Sequence, residues 1–346
     1  MGSGNHSYMF EKIWDPQFLE VRKVADDKLL VDLKEEVDAD GDNLGYFLTD
    51  SRDTASPSEV ELLEEFCRDT SLEDVKFGKS SAGSKRAIWV DDRSTTDLDL
   101  IGGGNAREHE TPLTAKGLLW ALNEPRFNHK NLPDASRRLI YVTDLDPACI
   151  HALAATAHWH QVTALRNAIY NHLAFQPSIE VRMPSAGFLN FQLDLHLPCF
   201  LLRKSKPPHS GIKINSKPPR QWTQLSFLNL ETSKSQSQLP GEVWGIHEAE
   251  ISYVVTGPDD WRWIGYAFVD TELDGLLTDL SEMDLSFDRA TAGETQARFP
   301  LWRPRDHWVK VLDVRIEQVR QEWEYLVYKL GIAVNRYVGL QTQYQT

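Results

Sequence analysis

Residues 137–203 read RRLIYVTDLDPACIHALAATAHWHQVTALRNAIYNHLAFQPSIEVRMPSAGFLNFQLDLHLPCFLLR. The run LIYV at 139–142 is β-rich and apolar, long enough for a buried strand and too short for a helix. Asp144 or Asp146 then supplies an N-cap oxygen, and Pro147 suits the first turn of a helix, where its missing N–H costs nothing. The segment therefore predicts a strand that leads directly into a helix.

The remainder of this stretch predicts two helices and a hairpin. Apolar residues spaced three and four apart continue to Leu173, and the pattern breaks near residues 158–160. Two strands follow, Ile179–Met183 and Phe188–Leu197, and the second alternates apolar with polar residues as a half-buried strand does. We expect an α/β (α+β) fold, in which a mixed sheet is flanked by helices.

The C-terminal region carries the longest periodic pattern of the chain. Its apolar residues alternate steps of three and four without a slip, as in the a and d positions of a coiled coil: Val309, Leu312, Ile316, Val319, Trp323, Leu326, Leu330, Ala333 and Tyr337. A helix over Asp306–Gly339 would extend about 50 Å. A helix of that length packs on its own sheet, pairs with other chains or leads into a further segment. We expect a homo-oligomer joined through it.

Several other elements complete the predicted sheet. Residues 249–256 and 263–270 predict two further strands, and 222–230 predicts a third. A helix is predicted over Val60–Asp69, whereas residues 71–84 have the composition of a loop.

Composition excludes several classes of function. The net charge is −14, and residues 11–74 alone contain twenty acidic and seven basic side chains. Nucleic acid is therefore not expected as a partner, because binding phosphates requires a basic face. No run of eighteen apolar residues is present to span a bilayer. The three widely spaced cysteines indicate a reducing compartment.

One segment departs from the acidic character of the chain. Residues 203–220 contain four prolines, six basic residues and no acidic residue, which predicts an extended or mobile loop. Such a loop could dock an acidic partner or a membrane surface, and this gives a protein-interaction module as one alternative function.

Carboxylates are the candidate metal ligands. Asp270, Glu272 and Asp274 alternate after a predicted strand, and Asp259 and Asp260 occupy the turn before it. Mg²⁺ takes hard oxygen ligands and keeps several waters, so two or three loosely arranged carboxylates can suffice. The alternative is that these acids cap helices and turns or solvate the surface.

Histidines offer a second alternative, a metal-dependent enzyme. His151 and His158 are seven residues apart, which would place them on one helix face, and Asp144 or His172 could supply a third ligand to a pocket around them. No G-x-S-x-G elbow and no recognisable Cys–His motif supports nucleophilic catalysis. The chain is therefore expected to be non-enzymatic.

Five segments resemble the CorA-like domain of large fungal proteins and, more distantly, the cytoplasmic domain of CorA-type magnesium channels. They read RLIYVTDLDP, HQVTALRNAIYNHL, FQLDLHLPCF, DDWRWIGYAFVDTELD and, at 300–323, PLWRPRDHWVKVLDVRIEQVRQEW. The resemblance covers about Arg137 to Tyr337. It implies a sheet domain with a long stalk helix, which assembles with copies of itself and senses Mg²⁺ through carboxylates at subunit contacts, in a role linked to ion transport.

The sequence departs from the channel pattern at its end. It has neither the two hydrophobic C-terminal helices nor the Gly-Met-Asn of the pore mouth, so it resembles an excised domain or a relative without the pore. We expect a cytoplasmic protein that reaches the inner face of a membrane only through a missing C-terminal segment or a parent protein. The expected organisation is an acidic region over 1–136 that is part of the core or packed on it, a core over 137–300 that contains the basic loop 203–220, and the long helix over 301–346.

Overall fold

The computed structural model describes residues 43–49, 56–94, 103–183, 190–206, 218–228, 230, 242–274 and 286–344. For Thr49, Trp159 and residues 339–344 it describes the backbone only.

The described residues form one mixed sheet of eight strands. Seven of them follow one another in the order β2-β1-β3-β8-β7-β5-β4, and the eighth, β6, pairs with β7 outside this path. The strands are β1 (Ile88–Ser94), β2 (Asn105–Ala106), β3 (Arg137–Thr143), β4 (Ser178–Arg182), β5 (Phe191–Ser205), β6 (Trp222–Gln224), β7 (Val243–Gly257) and β8 (Trp263–Val269). Every pair is antiparallel except β3 with β8. The long strand β7 pairs with β5 along its full length, so β6 and β8 share its other side.

Nine helices surround this sheet in the described part of the chain. They are α1 (Asn43–Thr49), α2 (Pro57–Cys67), α3 (Leu72–Phe77), α4 (Ser81–Ser84), α5 (Ala115–Asn123), α6 (Pro147–Thr156), α7 (Trp159–Ala174), α8 (Thr271–Asp274) and α9 (Pro304–Tyr344). This architecture confirms the predicted α/β class. None of the described helices combines the length and apolar character needed to cross a bilayer.

Local sequence explains where the helices begin. Ser56 and Ser71 each form a reciprocal capping box with the acidic residue three positions later. Of the two candidate caps before α6, Asp146 is the one used, and its Oδ1 accepts the N–H of Cys149 at 2.9 Å. The predicted break near residues 158–160 is confirmed, because α6 ends at Thr156 and α7 begins at Trp159.

Two apolar cores lie on opposite faces of the sheet. Helices α1–α7 cover one face, where Ile140, Val142 and Phe268 pack with residues of those helices. The start of α9 covers the other face, where Trp308 and Val311 join Tyr253 and further strand residues. The buried apolar residues of α1–α5 belong to the first core, so these helices of the acidic region pack on the same sheet.

The long helix is confirmed as one continuous element. The 41 residues of α9 span about 60 Å at 1.5 Å per residue. Its first turns lie on the sheet, and farther along Leu326 and Ala333 pack with Leu202 and Leu225 in a third, smaller core.

Three local predictions were wrong. Residues 71–84 contain α3 and α4 rather than a loop, because Ser71 caps the first helix and Gly78 ends it in the left-handed conformation. The strand predicted over 222–230 stops at Gln224 and continues as a 3₁₀ turn. Residues 191–196 of β5 are buried on both faces rather than half-buried, because α7 packs on this strand and Gln192, Asp194 and His196 are as inaccessible as the apolar residues between them.

Candidate functional site

The outer surface of α9 is the most extensive exposed apolar feature of the described chain. Four residues that we call the outer stripe face solvent: Ile316, Trp323, Val327 and Val334, with exposed fractions of 45%, 41%, 62% and 50%. They follow one another at steps of seven, four and seven, which is the spacing of a heptad seam. The stripe therefore runs straight along one side of the helix.

The predicted heptad pattern divides between two partners. Val309, Leu312 and Val319 pack against the sheet core, and Leu326 and Ala333 pack in the third core. Ile316 and Trp323 belong to the same predicted pattern but stay partly exposed. The ring of Trp323 packs edge-on against Phe200 of β5, with 5.7 Å between the ring centroids, and its remaining surface faces solvent. The apolar surface of α9 is thus wider than the area that the sheet core and the third core cover.

A buried ion pair fixes α9 to the sheet. Arg315 is fully buried, and its two terminal nitrogens contact the Asp274 carboxylate at 2.5 and 3.2 Å. The hydroxyl of Tyr141 donates to the same carboxylate. Burial alone would raise the pKa of Asp274, but the Arg315 guanidinium holds it below its usual range.

A second buried network holds the first turn of α9. His307 Nδ1 lies 2.6 Å from the hydroxyl of Tyr253, and its Nε2 lies 2.7 Å from Asp288. Arg137 donates to the same carboxylate at 2.9 Å. Burial lowers the pKa of His307, whereas His307 and Arg137 hold the pKa of the buried Asp288 well below its usual range. The orientation of α9 is therefore set by polar contacts as well as by packing.

Three of the predicted carboxylates surround the end of β8 without converging. The Asp270 carboxylate accepts a hydrogen bond from Arg220 Nε at 2.5 Å and lies 3.5 Å from His172 Nε2. Asp274 points into the opposite core toward Arg315, and Glu272 between them is exposed.

The other two predicted carboxylates lie at the far end of β8. Asp259 is buried in the turn before the strand, where it pairs with Arg262 at 2.6 Å and accepts two backbone N–H groups. Asp260 is half-buried, and burial raises its pKa against the opposing charge of Arg303. Its Oδ1 is buried and accepts no hydrogen bond from the described residues.

The five carboxylates therefore form two groups about 20 Å apart, at the two ends of a seven-residue strand. Across the described residues, no group of three or more His, Cys, Asp or Glu side chains has an arrangement that could hold a metal ion. A magnesium site at Asp259, Asp260, Asp270, Glu272 and Asp274 stays a prediction.

The histidine pocket predicted from sequence is spread over the length of α6. Asp144 precedes the helix and accepts the N–H of Thr271 at 2.7 Å, whereas His158 follows it as the N-cap of α7. Ten helical residues, about 15 Å, separate the two. The prediction that His151 and His158 share a helix face was wrong, because α6 ends before His158.

Most of the basic segment 203–220 lies outside the described residues, but the structure describes both of its ends, 203–206 and 218–220. Arg203 makes a double contact with Glu322 of α9, at 2.7 and 2.6 Å. Arg220 inserts between the Asp270 carboxylate and the carbonyl of His172. Both terminal arginines thus hold the segment to the body of the domain.

A buried polar cluster beneath α7 was not predicted. Ser252 Oγ lies 3.1 Å from His172 Nδ1 and 2.8 Å from His196 Nδ1, and all three side chains are buried. Glu250 lies beside them, and burial together with the charge of Asp270 raises its pKa to about 9. Serine, histidine and carboxylate meet here, but no side chain of the cluster reaches solvent to receive a substrate.

An open polar cleft of about 450 Å³ lies on the same side of the sheet, between α7 and β4. Its walls include Asn167, Tyr170 and Asn171 of α7, and Glu180 and Arg182 of β4. Glu180 and Arg182 pair with each other at 2.6 Å across its rim.

Comparisons with known proteins give this chain no relative. No protein-family model matches it, no curated protein is significantly similar, and no solved structure resembles it significantly.

Proposed function

We propose that this chain is a non-catalytic, CorA-like α/β domain that assembles with copies of itself through α9. The outer stripe carries this proposal. In the role linked to ion transport that the resemblance implies, the geometry of this assembly responds to a divalent cation such as Mg²⁺.

The chemistry of the outer stripe supports a second copy as its partner. Burying a Val or Ile side chain contributes about 1.5–3 kcal/mol, so four aligned apolar residues favour association over exposure. Heptad spacing matches an identical helix better than an irregular surface, because knobs at a and d enter holes of the same period. Arg320 lies within the stripe, and its guanidinium pairs with Glu317 and Glu324 of its own helix.

Asp260 supports the cation response best among the predicted ligands. Burial raises the pKa of Asp260, and the nearby Asp306 adds like charge against the opposing Arg303. A divalent cation would offset both the burial of Asp260 and the repulsion from Asp306. Mg²⁺ keeps several of its waters and therefore needs only one or two protein carboxylates. Asp306 belongs to the first turn of α9, so a cation bound there would act on the helix that joins the copies.

Neighbouring substitutions on α9 test the assembly. Val334→Glu places a charge in the outer stripe, whereas Asn335→Glu places the same charge on an adjacent exposed residue outside it. Measured by sedimentation velocity, Val334→Glu should weaken self-association at least tenfold, equivalent to about 1.4 kcal/mol. Asn335→Glu should leave it unchanged. Equal effects of the two variants, or a wild-type monomer, would contradict the proposal.

A further inference from the structure

The outermost strand of the described sheet, β4, carries an exposed and regular pattern. It pairs only with residues 192–196 of β5, and no described strand pairs with its other side. Ile179 and Val181 are more than half exposed on one face, followed by Met183 in the same alternation. An open edge with exposed apolar side chains is a template for pairing with another strand.

The other face of β4 bears one acid and one base. Glu180 and Arg182 are two residues apart, so they point to the same side of the sheet, and each side chain is nearly half exposed. Their order makes the strand complementary to itself when a second copy runs antiparallel to it.

Only one register satisfies this complementarity. A two-fold axis normal to the sheet through Val181 places Glu180 opposite the partner's Arg182, and Ile179 opposite the partner's Met183. Centring the axis on Glu180 or on Arg182 would set like charges directly opposite each other, which destabilises a strand pair. A shift by one residue would set the two faces out of phase.

We infer that β4 is a second contact between copies of this chain, an antiparallel β4–β4 pair centred on Val181. It continues the sheet across the two-fold axis and places two Glu180–Arg182 ion pairs between the chains. This contact is separate from the outer stripe of α9 and does not depend on it.

Cysteine cross-linking tests the register directly. Residues directly opposite in an antiparallel pair have Cα atoms about 4.5–5.5 Å apart, within the range a disulfide spans. Val181→Cys should therefore form a disulfide-linked dimer under mild oxidation. Ile179→Cys alone should not, because the two copies of residue 179 would be about 13 Å apart, but mixed with Met183→Cys it should.

The background for these variants is Val334→Glu, which is expected to weaken association through α9. The native Cys67, Cys149 and Cys199 are buried, and the parent without an added cysteine serves as the control. Failure of Val181→Cys to cross-link, or equally fast cross-linking of Ile179→Cys alone, would overturn the inference.

A charge exchange tests the ion pairs. Glu180→Lys should weaken the β4 dimer at least tenfold, because it sets lysine opposite the partner's Arg182. Adding Arg182→Glu to the same chain should restore the dimer, since opposite charges again face each other. If the double variant dimerises no better than the single one, the proposed register is wrong.

Discussion

Replacing Asp274 by alanine should loosen the long helix from the sheet. The fully buried guanidinium of Arg315 makes five hydrogen bonds: two to Asp274, one to Gln318 and two to backbone carbonyls at residues 289 and 290. The substitution removes two of these and the countercharge, and it also removes the acceptor of the Tyr141 hydroxyl. An uncompensated charge is then left in the core.

The magnitude follows from that stranded charge. Breaking a buried ion pair by removing one partner costs about 3–5 kcal/mol, far more than an exposed pair contributes. Urea denaturation monitored by tryptophan fluorescence would measure it as a lower midpoint at unchanged slope. Glu317→Ala is the matched control, because Glu317 and Arg320 form an exposed pair on the same helix, and it should not shift the midpoint measurably.

A double variant separates charge from packing. Asp274→Leu combined with Arg315→Met removes both charges together, and it should recover part of the loss because no charge is left unpaired in the core. The recovery should be incomplete, because the Tyr141 hydroxyl and the carbonyls of residues 289 and 290 lose their partners. A cost below about 1 kcal/mol for Asp274→Ala would refute the view that this ion pair anchors α9.

Three further predictions concern titratable groups. Because burial raises the pKa of Glu250 to about 9, its contribution to stability is present at low pH and is lost as pH rises from about 4.5 to 9. Glu250→Gln should therefore gain on the order of 3 kcal/mol over wild type between pH 5 and pH 8 in urea titrations, and a pH-independent difference would contradict this. For Asp288, burial alone would raise the pKa, but His307 and Arg137 hold it well below its usual range. The contribution of Asp288 to stability is thus present above about pH 4 and lost as pH falls further. Asp288→Asn should therefore flatten the acid side of a stability–pH profile, and an unchanged profile in that variant would contradict this role of Asp288. Millimolar Mg²⁺ should raise the melting temperature relative to NaCl of equal ionic strength, and Asp260→Asn should abolish the increase; an equal increase in that variant would exclude Asp260 as a ligand.

The elements that sequence predicted well are those whose signal is local. The strand at 139–142, the two helices after it and the long C-terminal helix follow from apolar spacing and capping residues within a few turns. For the same reason, the sequence narrowed the N-cap of α6 to two residues, Asp144 and Asp146, and the structure uses Asp146.

What could not be predicted depends on which surfaces meet. Asp194 and His196 alternate with apolar residues and thus match a solvent-facing pattern, but α7 covers them. Burial raises the pKa of Asp194 to about 7, a shift with no local sequence signal. Likewise, Ile316 and Val319 belong to one continuous apolar pattern in the sequence. Only the position of α9 on the sheet shows that Ile316 faces outward while Val319 packs against the core.

The distance between copies of α9 tests the central claim most directly. A nitroxide label at Val327→Cys lies on the outer stripe, and the buried native cysteines remain unlabelled. Because the axes of packed helices lie 8–10 Å apart, pulsed electron–electron double resonance should give a distance below about 25 Å between the labels of two chains. The absence of intermolecular coupling, in a sample whose mass exceeds the 39.5 kDa of one chain, would show that the copies meet elsewhere.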